Sequence, residues 1–494
     1  MLVLTANAQP RAIRSAGADA TIIPMTQTLE AAAVASPPTP RMRRPVAPRW
    51  WRDLSGLLAW ASVLVVVALW VAGGGVQGLT GGAGWLTGLG RLLGLVASDL
   101  ILLQVLLMAR LPFVERSYGQ DELARRHRWV GFASFNLMLA HIALILVGYA
   151  LTARRGVLAE TWSVVWTYPG MLLGVAGTLL MVLVVVTSVR AARRRLRYES
   201  WHLLHLYAYL GAGLALPHQI WTGADFIATP WARAYWWSLY AAALGAVLAY
   251  RVGLPLYRSV RHGLVVDRVV VEAPGVVSVH VRGRDLHRMP VSAGQFFAWR
   301  FLAGPGWTRA HPYSLSAAPT SDRLRITVKD LGDGSGALSA LRPGTRVLVE
   351  GPYGRLVPAV RTRRKVLLVA SGIGVTPLRA LLEELEYRPG EATLMYRART
   401  EADLVLRAEL TELAARRGAR VIWLPGSRVP GRTSWLPATA AHLSDRDGLR
   451  WLVPDVAEHD VYLCGADGWM TAARAAALDA GVPAANIHLE RFSW

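Results

Sequence analysis

Between Leu54 and Leu256 the chain is dominated by apolar runs close to twenty residues each, and this limits its possible folds more than any other feature. In hydrocarbon every backbone N–H and C=O must be satisfied internally, so runs of this length read as membrane-spanning helices. Six can be placed, near residues 54–73, 88–109, 129–151, 168–189, 201–221 and 235–254. The Gly-rich stretch GGGVQGLTGGAGWLTGLG turns the chain between the first two. Arginine-rich segments precede the first run, join the second to the third and the fourth to the fifth, and follow the sixth. The opposite loops are poorer in charge, although Arg154 and Arg155 blur the contrast. Basic loops stay in the cytoplasm, so both termini and the C-terminal half are expected there, in a multi-pass cell-membrane protein. The formal charge of +21 is then mostly a topology signal, with some attraction to the lipid bilayer. No nucleic-acid reading motif accompanies it. Residues 1–46, rich in Ala, Pro and Thr, lack a cleavable apolar core and are expected to be a disordered cytoplasmic tail.

Four histidines stand in these segments at matched separations. His127 and His141 are fourteen residues apart around the third run, and His205 and His218 thirteen apart in the fifth. With both termini inside, these two runs are parallel, so His127 pairs with His205 at the inner level and His141 with His218 at the outer. His202 competes with His205 for the inner position. At about 100° per residue, fourteen steps fall about 40° short of four turns, which keeps His127 and His141 on one face. Thirteen steps miss by about 140°, and Pro217 gives that helix a reason to bend or unwind. A lone histidine in hydrocarbon is readily explained as a hydrogen bond across the bundle. Two facing pairs, about 20 Å apart along the axis, are what two stacked haems with two axial imidazoles each would need. Filled axial positions suit electron transfer rather than oxygen binding. No proton-relay carboxylate is evident in the spans. The single cysteine, Cys464, excludes an internal disulfide and a four-cysteine iron–sulfur cluster.

The C-terminal half changes period. From about Val265 to Pro358, short β-branched stretches alternate with Gly/Pro turns, the spacing of a small antiparallel barrel. Within it, RAHPYSLSAAP sets an aromatic beside hydroxyls, which can stack on a flat ring and hydrogen-bond its edge; alone it could be an ordinary edge strand. In VKDLGDGSGAL, Gly332, Gly334 and Ser335 open a helix whose free N–H groups attract phosphate. RKVLLVASGIGVTPLRALLEEL then runs a buried strand into Gly372, Gly374, Thr376 and Pro377 and on into an amphipathic helix. Such a unit cradles a pyrophosphate, although the three-glycine dinucleotide spacing is incomplete. The strand ATLMYRART ends in Arg397 and Arg399, where the 2′-phosphate of NADPH would sit; Arg428 is a rival, and solvated surface arginines are the plain alternative. HDVYLCGADGWM brings Cys464 and Gly465 to a strand's carboxyl end, although Cys464 could equally be a small core residue.

In this order, the two histidine pairs, HPYSLS, VKDLGDGS, SGIGVTP, YLCG and the terminal ERFSW resemble the ferric reductase and NADPH oxidase superfamily, from about Leu54 to Trp494. The resemblance implies a six-helix transmembrane haem domain (47–258), an antiparallel β-barrel FAD domain (259–360) and an α/β Rossmann-like NAD(P)-binding domain (361–494). It implies two haem b groups on His127, His205, His141 and His218. It places His311, Pro312, Tyr313 and Ser314 on the flavin, Ser314 nearest the nitrogen that receives hydride, and Lys329, Gly332 and Ser335 at the FAD pyrophosphate. Gly372, Gly374, Thr376 and Pro377 would hold the dinucleotide, with Cys464 and Gly465 beside its reactive ring. Phe492, or Trp494, would cover the flavin, and Glu490 would orient polar groups there. Two positions depart from parts of the family: His311 stands where soluble ferredoxin reductases carry Arg, and Ile145 where superoxide-making oxidases usually have a further histidine. Arg91 lies where the family can place a charge beside the outer haem; its plain reading is a snorkelling arginine. The implied activity passes electrons from NADPH (or NADH) through FAD and two haems to an external acceptor, ferric chelates ahead of oxygen. An electron-delivery subunit for a partner protein and a haem-free ion channel are the alternatives.

Overall fold

A computed structural model describes residues 49–189, 198–304 and 306–490 of the chain. The expected tail (1–46) and the last four positions, Phe492 and Trp494 among them, lie outside the described residues.

The N-terminal half is helical: α1 (Arg49–Ala72), α2 (Gly81–Met108), α3 (Pro112–Tyr118), α4 (Gln120–Ala153), α5 (Val157–Thr167), α6 (Met171–Ser188), α7 (Tyr198–Thr222) and α8 (Pro230–Ala246). Thr229 starts α8, its side chain accepting from Ala232 N–H at 3.2 Å, and Pro230 occupies the first turn, where no N–H is needed. A π segment, Val247–Gly253, joins α8 to α9 (Leu254–His262) without a break. Pro255 cannot donate to the carbonyl of residue 251, and the ladder slips so that Leu254 N–H reaches Ala249 O. Gly263, at φ +53°, then ends α9.

Among the described residues, five helices are long and apolar enough to cross a membrane: α1, α2, α4, α6 and the continuous Pro230–His262. They turn apolar side chains outward, Trp60 at 72% and Leu64 at 65% exposure, which suits lipid and not water. The molecule is a multi-pass membrane protein. The expected sixth span, α7, is a 25-residue helix and long enough, but His202, His205, His218, its tyrosines and Pro217 dilute its hydropathy. It also stays helical through Pro217, so the local unwinding anticipated there does not occur. The helix α5 was not anticipated. It buries Glu160 and Val164 and exposes Leu158, Trp162 and Trp166, four residues apart on one stripe.

The C-terminal half holds eleven strands among the described residues. β1 (Val265–Ala273), β2 (Val276–Arg282) and β5 (Arg323–Lys329) form one antiparallel sheet. β4 (His311–Ser314), β3 (Phe296–Phe301) and β6 (Val347–Tyr353) form a second. The two share a core that includes Val279, Phe297, Trp299, Leu315, Ile326 and Val349. Where a barrel was expected, the sheets meet at seams of single bridges, Leu315 with Ile326 and Val265 with Arg346. One reason lies in β4, four residues long with Pro312, which cannot donate to a ladder and keeps β4 an edge strand.

β7 (Lys365–Ser371), β8 (Ala392–Ala398), β9 (Arg420–Pro425), β10 (His459–Cys464) and β11 (Ile487–Leu489) make a parallel sheet in the order β11-β10-β7-β8-β9. Val366, Leu368 and Ala370 pack with α10 (Val375–Glu384) and α11 (Arg407–Arg417) on one face. Leu367 and Val369 pack with α12 (Asp445–Leu452) and α13 (Asp467–Asp479) on the other. That period-two division of an all-apolar run is why β7 is buried on both sides. The chain runs outward from β7 through β8 to β9, then returns to β10 on β7's other side. The crevice between β7 and β10 is therefore the topological switch point, where open α/β sheets bind ligands.

Candidate redox site

In the helical half the structure brings His127 and His205 together, ring centres 5.9 Å apart at 66° between planes. His127 Nδ1 donates to Gln104 O at 3.4 Å, and His205 Nδ1 lies 3.3 Å from Ser188 Oγ, to which Trp201 Nε1 also donates. His141 Nδ1 donates to Gly90 O at 2.8 Å. His218 is close enough to His141 to interact electrostatically with it. Both outer imidazoles press on a neighbouring helix where only glycine leaves room. A Cβ on Gly94 would fall 2.5 Å from His141 Nδ1, and one on Gly174 would fall 3.2 Å from His218 Nδ1. His202 lies within electrostatic reach of Arg251, Glu350 and Arg300 as well as of His205.

A histidine whose Nδ1 is committed presents its Nε2 lone pair to a metal. Two nitrogen–metal bonds of about 2 Å, plus the two ring radii, separate coaxial imidazole centres by about 6 Å. The inner pair fits that span. Among the described residues no three His, Cys, Asp or Glu side chains cluster as a metal site. A metal held by either pair would need its remaining donors from elsewhere, and a porphyrin supplies four.

Two further polar groups lie among the spans. Asp99 of α2 is fully buried, its Oδ1 accepting from Ser62 Oγ at 2.7 Å and Tyr235 OH at 2.6 Å, which ties α1, α2 and α8 together. A single Asp inside an apolar run was the available signal for this buried set. Arg91 is gripped by both oxygens of Asp225, at 2.8 and 2.6 Å, rather than reaching freely for the interface.

In the reductase half, His311 and Tyr313 stack 14° from parallel on β4, 6.0 Å between centres. Trp299 Nε1 donates to Tyr313 O at 2.9 Å, and burial pushes the Tyr313 phenol up to about 12. Pro312 is exposed at the sheet edge, and Ser314 pairs with Phe296 of β3. The Gly-rich turn closes on this strand: a Cβ on Gly334 would sit 2.5 Å from His311 Cε1. Its N–H groups are less free than expected. Asp330 Oδ1 accepts from Gly332 N–H at 3.0 Å and Ser335 Oγ accepts from Leu331 N–H at 2.8 Å. Lys329 faces Asp403 at 3.9 Å.

At the switch point Gly372 adopts φ +55°, and a Cβ on Gly374 would fall 2.4 Å from Cys464 O. Glycine thus lets the ends of β7 and β10 meet, with Gly465 against Ser371. Thr376 Oγ1 donates to Ile373 O at 3.0 Å and Pro377 sits in the first turn of α10. The Cys464 thiol is buried, which pushes it far above its ordinary range with Glu490 adding to the effect, so it is no thiolate. Glu490 is buried beside Gly354, just past β6, so it lies where the two sheet systems meet. Arg397 lies inside β8, buried, and its guanidinium donates to the carbonyls of Ala398, Leu424 and Ser427. It is the last but one residue of β8, and the backbone carbonyls at the ends of β8 and β9 take up its donors. Arg399 and Arg428 are the exposed arginines there.

Known proteins divide in the same way. Residues 93–216 match the family described as ferric reductase like transmembrane component, and residues 368–475 the oxidoreductase NAD-binding domain. The chain is 33% identical over 210 residues to the ferredoxin reductase component of 3-ketosteroid-9-alpha-monooxygenase of Mycolicibacterium smegmatis, over 42% of this chain and 56% of that protein. It is 32% identical over 205 residues to ferredoxin–NADP reductase B of Sorangium cellulosum, over 38% of this chain and 80% of that one. A solved flavohem-like FAD/NAD-binding domain of nitric oxide dioxygenase from Vibrio cholerae aligns over 47% of this chain and 98% of its own, at 22% identity and a TM-score of 0.37. The chain therefore spans little more than half the length of the first of these relatives. The chain thus joins a segment matching the ferric-reductase-like transmembrane component to a segment matching an oxidoreductase NAD-binding domain, as the resemblance implied. Its C-terminal part is similar to oxidoreductase NAD-binding domains and to ferredoxin reductases.

Proposed function

We propose that the chain carries electrons across the membrane, from cytoplasmic NAD(P)H through FAD and two haem b groups to an external acceptor, ferric chelates first. In this reading α7 is the sixth span, both termini are cytoplasmic, and the two small sheets act as one FAD-binding barrel. The carrying observation is the imidazole pair His127/His205 at 5.9 Å, each ring held at Nδ1. His141 and His218 would hold the second haem. Bound there, FAD and haem would supply the split of a two-electron hydride into single electrons.

The chain's own residues have separate tasks. Tyr313 and His311 offer stacked rings to a flavin, and Ser314 a hydroxyl to its edge. Gly372 and Gly374 leave backbone close to a pyrophosphate, with Thr376 and Pro377 shaping the helix start behind it. Cys464 and Gly465 bound the nicotinamide side, and Glu490, beside both sheet systems, orients polar groups there. Arg399 or Arg428, not Arg397, meets a 2′-phosphate if NADPH is the donor. Outward electron flow is favoured by about 2.3 kcal/mol per electron for each 100 mV of inside-negative potential.

Ferric chelate ranks ahead of oxygen because Ile145 replaces the further outer histidine. The test is cytochrome c reduction with superoxide dismutase: the ferric reading expects reduction that survives the dismutase, and complete abolition contradicts it. A second reading is favoured by the relative named as a reductase component of a monooxygenase: this chain would deliver electrons to a partner protein. Full flavin and haem content without turnover on small acceptors would support that reading.

A further inference from the structure

The helix Pro230–His262 outlasts any bilayer. Its 33 residues make about 50 Å of helix against about 30 Å of hydrocarbon. Its end therefore enters the reductase half, where Ser259 Oγ accepts from Val349 N–H at 3.1 Å and Arg258 donates to Gly351 O. Inside the π segment, Arg251 Nη1 donates to Glu350 Oε1 at 2.7 Å. Glu350, on β6 and 7% exposed, also accepts from Tyr353 OH at 2.9 Å and has Arg300 at 3.9 Å. The Tyr353 ring is covered by Arg110 at 4.0 Å, and Arg110, just past α2, donates to Glu115 at 3.1 Å and Gln120 at 2.7 Å. Two membrane helices thus converge on one strand.

That strand leads to the flavin motif. Phe296 of β3 pairs with Tyr353 on one side and with Ser314 on the other. The row Tyr353–Phe296–Ser314 is about 10 Å wide, with a β-bulge beside it between Phe296 and Ala298. On its membrane side, Arg251, Glu350 and Arg300 face His202, one turn before His205. A buried ion pair adds little net stability because desolvation offsets its attraction, and its best-attested use is fixing one arrangement over others.

We propose that the Arg251–Glu350 pair, braced by Tyr353, is a positioning element that sets the β3–β4–β6 sheet at a fixed distance from the inner histidine pair. It governs the flavin-to-haem step while touching neither cofactor. This rests on the haem reading above. Electron transfer falls steeply with separation, so a small displacement of the sheet slows that step and leaves hydride transfer to flavin alone.

The experiment uses the full chain with Glu350→Gln, Arg251→Lys and the swap Arg251→Glu/Glu350→Arg. Stopped-flow follows flavin bleaching and haem reduction after NADPH addition, and hydrogen exchange follows the amides of 254–262 and 347–353. For Glu350→Gln, haem reduction is expected to slow about ten-fold or more, with flavin bleaching held within about two-fold. Exchange in both segments rises, Arg251→Lys recovers part of the haem rate, and the swap recovers more. Equal slowing of both steps, or unchanged haem reduction and exchange, overturns the proposal. Wild-type protein that binds no porphyrin instead fails the haem reading by spectrum, and the exchange data then decide separately whether the pair holds the two halves together.

Discussion

The membrane half and the reductase half treat buried polar groups differently. In the reductase half two carboxylates each gather several partners, although Arg379 Nε and Tyr462 OH stay buried without one. Asp460 accepts from Thr362 N–H at 2.6 Å, Asn486 Nδ2 at 3.0 Å and His488 Nε2 at 2.9 Å, and Glu409 takes both Arg325 and Arg379. In the membrane half the imidazoles of His127, His141 and His205 each have one nitrogen engaged by a carbonyl or hydroxyl and a second left over. Shared carboxylates specify structure; half-used imidazoles in a medium that penalises them are what the proposed haem sites would draw on.

The strongest way to break this contrast is His141→Leu. It should abolish one haem's absorbance completely while NADPH still bleaches the flavin, both read on purified protein; retention of both haem signals removes His141 as a ligand. Gly94→Val, which drives a side chain into His141 Nδ1, should weaken the same haem without touching a ligand, seen as sub-stoichiometric porphyrin. In the reductase half, Asp460→Asn removes one of the shared carboxylates. Its hydrogen bonds to His488 and Asn486 and to two backbone N–H groups overcome burial and hold the carboxyl down to about 2. A depressed folded value contributes stability above the unfolded value, about 4, and that stability is lost as pH falls toward about 2. The substitution should therefore cost about 2 kcal/mol at pH 7, and the wild-type advantage should vanish below about pH 2, read from thermal melts in detergent. Smaller still, Arg399→Ala or Arg428→Ala should raise KM for NADPH several-fold and leave NADH unchanged. Arg397→Ala should lower Tm and leave the NADPH/NADH ratio alone.

What the sequence displays, and what it hides, follows from range. Apolar runs, the strand Val366–Ala370 and the loop at Gly372–Gly374 are local patterns with periods that can be counted, and the structure places each on the expected kind of element. The histidine spacing is local too, although thirteen steps in α7 left the facing of His218 undetermined until α6 was seen against it. The departures are tertiary. Arg397 looked like a surface cation because nothing local says that the distant carbonyls of Leu424 and Ser427 close round it. The loop at Gly332 looked like a set of free donors because Asp330 and Ser335 fold back on it. Arg251 and Glu350 stand 99 positions apart, and no spacing rule joins them. Composition lowered the hydropathy of α7 through the residues that give it interest, its histidines.

The central claim is that two imidazole pairs hold iron porphyrins in series. Reduced-minus-oxidised absorbance of the purified chain, calibrated for haem per polypeptide, tests it directly. The account predicts about two low-spin haem b groups per chain, with one lost in His141→Leu and one in His205→Leu. A preparation that takes up no porphyrin when given an excess contradicts it.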